Sequence, residues 1–122
     1  MYRRSFKMSF RDALSGMGYC LSTQRNMQVH MVVAVAVLVA AWLLKLSRLE
    51  WALLLFAISF VMAAEMFNTA LERTVDLFVD NYHPLARLAK HIAAGAVLVS
   101  ALNAAVVGVL IFLPHLRMLI GG

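Results

Sequence analysis

Hydrophobic and polar positions divide the chain into four stretches. Between residues 5 and 23 they alternate with helical spacing: Phe6, Phe10, Leu14, Met17 and Leu21 recur every three or four positions, which puts them on one face. Lys7, Arg11 and Asp12 fall mainly elsewhere. Such a segment, taken with its flanks as residues 1–25, is expected to lie in the interfacial plane with its apolar side in the acyl boundary. Gly16 and Gly18 are candidate points for a break or bend.

A first span is expected over 29–46, an almost pure Val/Ala/Leu run long enough to cross a bilayer. A very short turn follows at Lys45, Ser47, Arg48 and Glu50, flanked by Trp42 and Trp51, whose amphipathic indoles favour the interface. A second span over 51–70 continues as a helical pattern into a cytoplasmic stretch to about 80. After Asp80-Asn81-Tyr82-His83, Pro84 suits the start of a new helix. The third span is expected over 92–113, ending at Pro114. No internal repeat or second domain is visible. The fold class is therefore an all-α membrane protein, with an interfacial helix and three transmembrane helices.

Composition agrees: 63% of the 122 residues are hydrophobic and only 14% charged, too apolar for a soluble domain of this size. So few helices enclose little space in one copy, so an enzyme of this kind is expected to assemble as a homo-oligomer with sites between subunits. The net charge of +5 comes largely from basic residues ahead of the first span. Anionic lipid and topology explain them better than nucleic acid. Arg3-Arg4-Ser5-Phe6-Lys7 resembles a twin-arginine export motif, but the next apolar run begins only near Val29 and no small-residue cleavage site follows. Cys20, the single cysteine, excludes an intramolecular disulfide and reads as a small apolar residue.

Lys and Arg counts set the orientation. Arg3, Arg4, Lys7, Arg11, Arg25, Arg73, Arg87 and Lys90 lie on one side, and Lys45, Arg48 and Arg117 on the other. Eight against three puts the N-terminus and the second connection in the cytoplasm, the chain being read as a multi-pass protein of a bacterial inner membrane.

Glu65 is the most informative residue, because an ionisable group at the end of an apolar run is costly and usually has a task. At 100° per residue, Asn68, Glu72 and Asp76 all fall within about 60° of it around the helix. Three carboxylates and a carboxamide thus form one stripe running toward the cytoplasm. Clustered acids need nearby cations, and Mg²⁺ prefers oxygen ligands and often bridges carboxylates to nucleotide phosphates. The uppermost acid suits a general base acting on a lipid hydroxyl held at headgroup level. A solvated helix face is the plain alternative for Asp76 and Asp80, and an ion or proton pathway is another reading of acids at membrane depth. Lys90 either neutralises phosphate or snorkels to the interface. His30 reads as an interfacial residue, His83 as part of a turn, and Asn103 as a packing residue of the third span.

The run Glu65-Met-Phe-Asn68-Thr-Ala-Leu-Glu72-Arg-Thr-Val-Asp76 resembles the small prokaryotic diacylglycerol kinase and undecaprenol kinase family. Tyr82-His83-Pro84-Leu85-Ala86, Ala89-Lys90 and Ala93-Ala94-Gly95-Ala96-Val97-Leu98 carry the likeness onward, from about Ser5 to Pro114 in all. The resemblance implies a homotrimeric membrane kinase that uses ATP and Mg²⁺ and builds its active sites between subunits. It implies Glu65 as general base, with Asn68 in the same site, Glu72 as a metal ligand and Lys90 as the phosphate-binding lysine. Asp76 continues the acidic face, and Arg11 and Tyr19 are candidate nucleotide contacts. Leu71-Glu72-Arg73-Thr74-Val75-Asp76-Leu77, the His83-to-Ala86 run and the ending from Gly108 to Pro114 look more like the undecaprenol branch. The chain also departs from the family. Gln24 stands where a metal-binding glutamate is usual, so metal affinity is expected to fall. Gln28 holds a commonly basic position. His91 replaces the aspartate after the lysine, where a protonated imidazole can bind phosphate but cannot supply negative charge. A catalytically weakened relative, binding lipid or serving structurally, is the reading these departures support.

Overall fold

The computed structural model describes residues 5–121; Arg3 and Arg4, counted above among the cytoplasmic basic residues, lie outside them. Four helices follow in order: α1 (Phe6–Thr23), α2 (Arg25–Leu43), α3 (Arg48–Phe78) and α4 (Pro84–Gly121). The last three are long and apolar enough to cross a membrane.

α1 begins at Ser5, whose hydroxyl accepts a hydrogen bond from the Met8 amide at 3.2 Å. It runs unbroken through Gly16 and Gly18. Each glycine costs only ~1 kcal/mol in a helix, and the rest of the segment carries the helix across both. Phe6, Phe10, Leu14 and Met17 stay exposed, while Cys20 is the buried residue of the helix. The apolar stripe therefore has no partner among the described residues and is free to face lipid. Gln24 alone separates α1 from α2, with extended φ −103° and ψ 115°. Across this corner the Gln28 side-chain amide donates to the Leu21 carbonyl at 3.0 Å, satisfying one of the carbonyls left open at the end of α1.

The α2–α3 turn is closed at both ends by local chemistry. Lys45 adopts φ 54°, the left-handed conformation that ends many helices. Its amide bonds to Trp42 O and the Leu46 amide to Ala41 O, both at 3.3 Å. Leu46 is thereby folded back onto Ala41, and both are buried with Leu54 and Ile111 in the core at this end of the bundle. Ser47 and Glu50 then form a capping box: the Glu50 amide donates to Ser47 Oγ at 3.2 Å and the Ser47 amide to Glu50 Oε1 at 3.0 Å. The other Glu50 oxygen, Oε2, lies 2.9 Å from His115 Nε2 and ties α3 to the far end of α4.

α4 opens at Pro84, where a missing N–H costs nothing, and His83 Nδ1 accepts from the Leu85 amide at 3.1 Å. His83 is thus a helix cap. The helix does not end at Pro114 but continues to Gly121. Pro114 removes one backbone bond, yet apolar side chains before and after it and the His115–Glu50 contact hold the helical course. Asn103 is exposed on this helix.

α3 packs most extensively on α4 and next on α2. Its buried face is Leu54, Ala57, Val61, Glu65 and Thr69, one residue per turn. The 31 residues of α3 extend about 46 Å, well beyond a hydrocarbon core of about 30 Å. Counted from Trp51, Glu65 lies about 21 Å along the axis, within the length of such a core, and Asp76 about 38 Å, beyond it.

Candidate functional site

The acidic stripe resolves into three levels, each with its own partner. Glu65, uppermost, is 3% exposed and continues the apolar stripe that packs into the bundle, so the carboxylate points at protein. His30 Nε2, on α2, lies 3.3 Å from its Oε1. That is ion-pair distance, but no hydrogen bond joins the two, and Oε1 has no hydrogen-bonded partner among the described residues. Thr69 Oγ1 donates back to the Glu65 carbonyl at 3.0 Å, which leaves no polar side-chain atom of this turn exposed to lipid through Thr69.

One turn down, Asn68 Nδ2 donates to Glu72 Oε1 at 3.3 Å, one step of the i, i+4 spacing. Asn68 Oδ1 is buried without a hydrogen-bonded partner. At the lowest level Lys90 Nζ reaches from α4 to Asp76 Oδ1 at 2.7 Å. This pair borders a polar cleft of about 370 Å³ that Asp80, Tyr82, His83, Arg87 and His91 also line. Basic residues dominate its α4 side, and a polyanion is the ligand class that such a wall attracts.

The structure thus brings Asp76, Lys90 and His91 into one cleft and sets Glu72, Asn68 and Glu65 above it along α3. Tyr19 stands apart from the cleft. Its hydroxyl accepts from Arg73 Nε at 2.9 Å, and the Arg73 guanidinium lies 5.9 Å from the ring centroid. Arg11 is exposed on α1. Gln24 sits at the α1–α2 corner with its amide nitrogen donating to Thr23 Oγ1 at 3.0 Å. Among the described residues no three acids, histidines or cysteines converge as a ready metal cluster. The oxygen donors that fit a hard divalent cation are the Glu72 carboxylate and the unpartnered Asn68 Oδ1. A cation that keeps water and phosphate ligands needs no more from the protein than one or two such groups.

Two features were not foreseen from the sequence. His30 is not simply interfacial: it faces Glu65. Its position three residues after Met27 and four before Ala34, both buried, carried that signal. Arg73 was not expected to hold Tyr19, and nothing in the local pattern pairs residues 54 positions apart. Above the Glu65 level, α2 and α4 flank α3 with their backbones well apart, and an apolar cavity of about 500 Å³ lies between the helices. His30, Ala34, Val61, Met62, Ala105 and Phe112 are among its walls, and His30 is its one polar lining residue among those described.

The prokaryotic diacylglycerol kinase family model matches residues 11–112, most of the chain and all of the acidic stripe. The chain belongs to this family. Among its relatives, undecaprenol kinase of Bacillus subtilis (strain 168) is 46% identical over 113 residues, covering 93% of this chain and 91% of that one. A diacylglycerol kinase of Synechocystis is 47% identical over 110 residues, which is 89% of this chain but 63% of that longer protein. The diacylglycerol kinase of Escherichia coli (strain K12) is 31% identical over 88 residues, 72% of this chain and 71% of that one. The family consists of membrane lipid kinases, and its kinase character implies ATP as phosphate donor.

Proposed function

We propose that this chain transfers the γ-phosphoryl group of ATP to the hydroxyl of a membrane lipid alcohol, undecaprenol in preference to diacylglycerol. The observation that carries the reading is the buried Glu65 carboxylate on α3, with a basic cleft three turns along the same helix and, 3.3 Å away, a histidine that lines an apolar cavity. An apolar chain and a polyanion can approach such a carboxylate from opposite ends. The acceptor oxygen attacks the γ-phosphorus while its proton passes to Glu65. The bond from the γ-phosphorus to the β–γ bridging oxygen breaks, and ADP leaves with that oxygen.

Glu65 and Asp76 are three turns apart, about 16 Å along the axis. Phosphoryl transfer needs its reacting atoms within about 3.5 Å, so the triphosphate has to extend from the cleft up the Glu72–Asn68 face. Lys90 and His91 neutralise it at the cleft end. Glu72 and Asn68 Oδ1 would hold Mg²⁺, which supplies charge neutralisation at the phosphates. Gln24 adds at most a neutral oxygen, which predicts weak metal binding. Arg11 and Tyr19, on α1, are the nucleotide contacts proposed for the surface of the site, Tyr19 through its bond to Arg73.

The undecaprenol preference rests on the Leu71–Leu77 run, the His83–Ala86 run and the Gly108–Pro114 ending, and on the undecaprenol kinase among the relatives. The Synechocystis protein, equally similar, is called a diacylglycerol kinase, so an acceptor assay is the decisive test. A homotrimer in the inner membrane with its N-terminus cytoplasmic completes the proposal, since much of the apolar α4 surface lacks a partner among the described residues. Purified protein in mixed micelles should move label from ATP to undecaprenol faster than to diacylglycerol. The reverse order would reassign the acceptor. No transfer to either, from a well-folded oligomer, would favour a weakened, lipid-binding relative and make Gln24 and His91 the residues to revert.

A further inference from the structure

We propose that His30 is a positioning residue for this phosphoryl transfer: its Nε2–H holds one oxygen of the Glu65 carboxylate and turns the other toward the acceptor hydroxyl. The proposal rests on Glu65 being the base. It stands on where the two side chains lie. Glu65 is 3% exposed, and a carboxylate that deep is costly unless a donor faces it. Its own helix supplies none to Oε1, which is buried and without a hydrogen-bonded partner. The basic group that reaches it comes from a different helix, with His30 Nε2 at 3.3 Å.

The imidazole is partly exposed, and it is the one polar side chain among the described residues that line the apolar cavity. It therefore stands where an acceptor hydroxyl leaving apolar surroundings would first meet a polar group. A planar, two-bond side chain on a membrane-spanning helix also has little rotational freedom. A carboxylate held by one oxygen keeps a fixed direction for the other, and misdirection of a proton acceptor lowers turnover without weakening substrate binding.

The test uses the full chain in mixed micelles, with undecaprenol and dioleoylglycerol as acceptors. Three His30 variants are compared with Glu65→Gln. His30→Phe removes the donor and keeps the bulk; it should lower kcat by ~10- to 100-fold, the worth of one hydrogen bond to a charged group, with both KM values within about twofold. His30→Gln extends an amide N–H to about the reach of Nε2 and should recover most of that loss. His30→Asn is equally polar but too short, and should behave like His30→Phe. If His30→Phe does not assemble, the Gln-against-Asn comparison decides: an active Gln beside an impaired Asn supports the proposal. Equal activity of Gln and Asn, a His30→Phe loss confined to lipid KM, or full activity of His30→Phe would overturn it. Full activity of Glu65→Gln would instead overturn the base assignment beneath it. An inactive Glu65→Gln beside a fully active His30→Phe would sink the His30 proposal alone.

Discussion

Replacing Glu65 by Gln separates chemistry from architecture more cleanly than any other change to this chain. The two side chains have nearly the same volume, so Leu54, Ala57, Val61 and Thr69 keep their packing along the same face. What disappears is the ability to take a proton. Positioned general bases contribute about 10²- to 10⁴-fold, or about 3–5 kcal/mol of barrier at 1.36 kcal/mol per decade. Stability should move the other way or not at all. His30 Nε2 faces Glu65 Oε1 at 3.3 Å without a hydrogen bond, so exchanging this incompletely satisfied buried carboxylate for a neutral amide removes at least as much desolvation cost as attraction. The variant should therefore assemble with an unchanged or raised thermal midpoint in detergent while losing nearly all turnover. The assay is label transfer from ATP to lipid at saturating acceptor, alongside size-exclusion chromatography and a melting curve on the same sample. Turnover within threefold of the parent protein, from a correctly assembled sample, would refute Glu65 as the base. A collapsed oligomer would refute the claim that the side chain is tolerated as a neutral isostere.

Lys90→Ala should raise the KM for ATP by about tenfold or more, the loss of a charge-assisted contact; removing a half-exposed ion pair should change stability by less than ~1 kcal/mol. Asp76→Asn frees Lys90 without removing it, so nucleotide titrations on both variants would show whether the lysine serves phosphate or only Asp76; equal defects would mean the latter. Lys45→Gly relieves a side chain held at φ 54° and should stabilise the protein by about 1 kcal/mol, read as a higher melting midpoint with kinase turnover unchanged. Gln24→Glu restores a carboxylate at the α1–α2 corner and should lower the Mg²⁺ concentration giving half-maximal turnover severalfold. An unmoved Mg²⁺ curve would exclude residue 24 from the metal site.

Much of this architecture is set by short-range pattern. Three- and four-residue spacing is enough to give α1 its apolar stripe and to align Glu65, Asn68, Glu72 and Asp76, because residues on one helix keep a fixed angular relation whatever surrounds them. The capping box at Ser47 and Glu50 is equally local, as is Pro84 at the start of α4. The end of α4 is not local in this way: Pro114 weakens a helix in isolation, but apolar residues on both sides and His115 on Glu50 carry it past to Gly121.

The partners of the stripe belong to another order. His30 with Glu65, Lys90 with Asp76 and Tyr19 with Arg73 join separate helices, at distances of 3.3, 2.7 and 2.9 Å. Each depends on how far one helix is rotated and shifted against the next, and a rotation of one residue position turns a side chain by 100°. Periodicity on a single helix holds no record of that rotation. Side-chain packing between α2, α3 and α4 fixes it, so the sequence alone determined which acids share a face, and the tertiary structure decided that the deepest of them looks at a histidine.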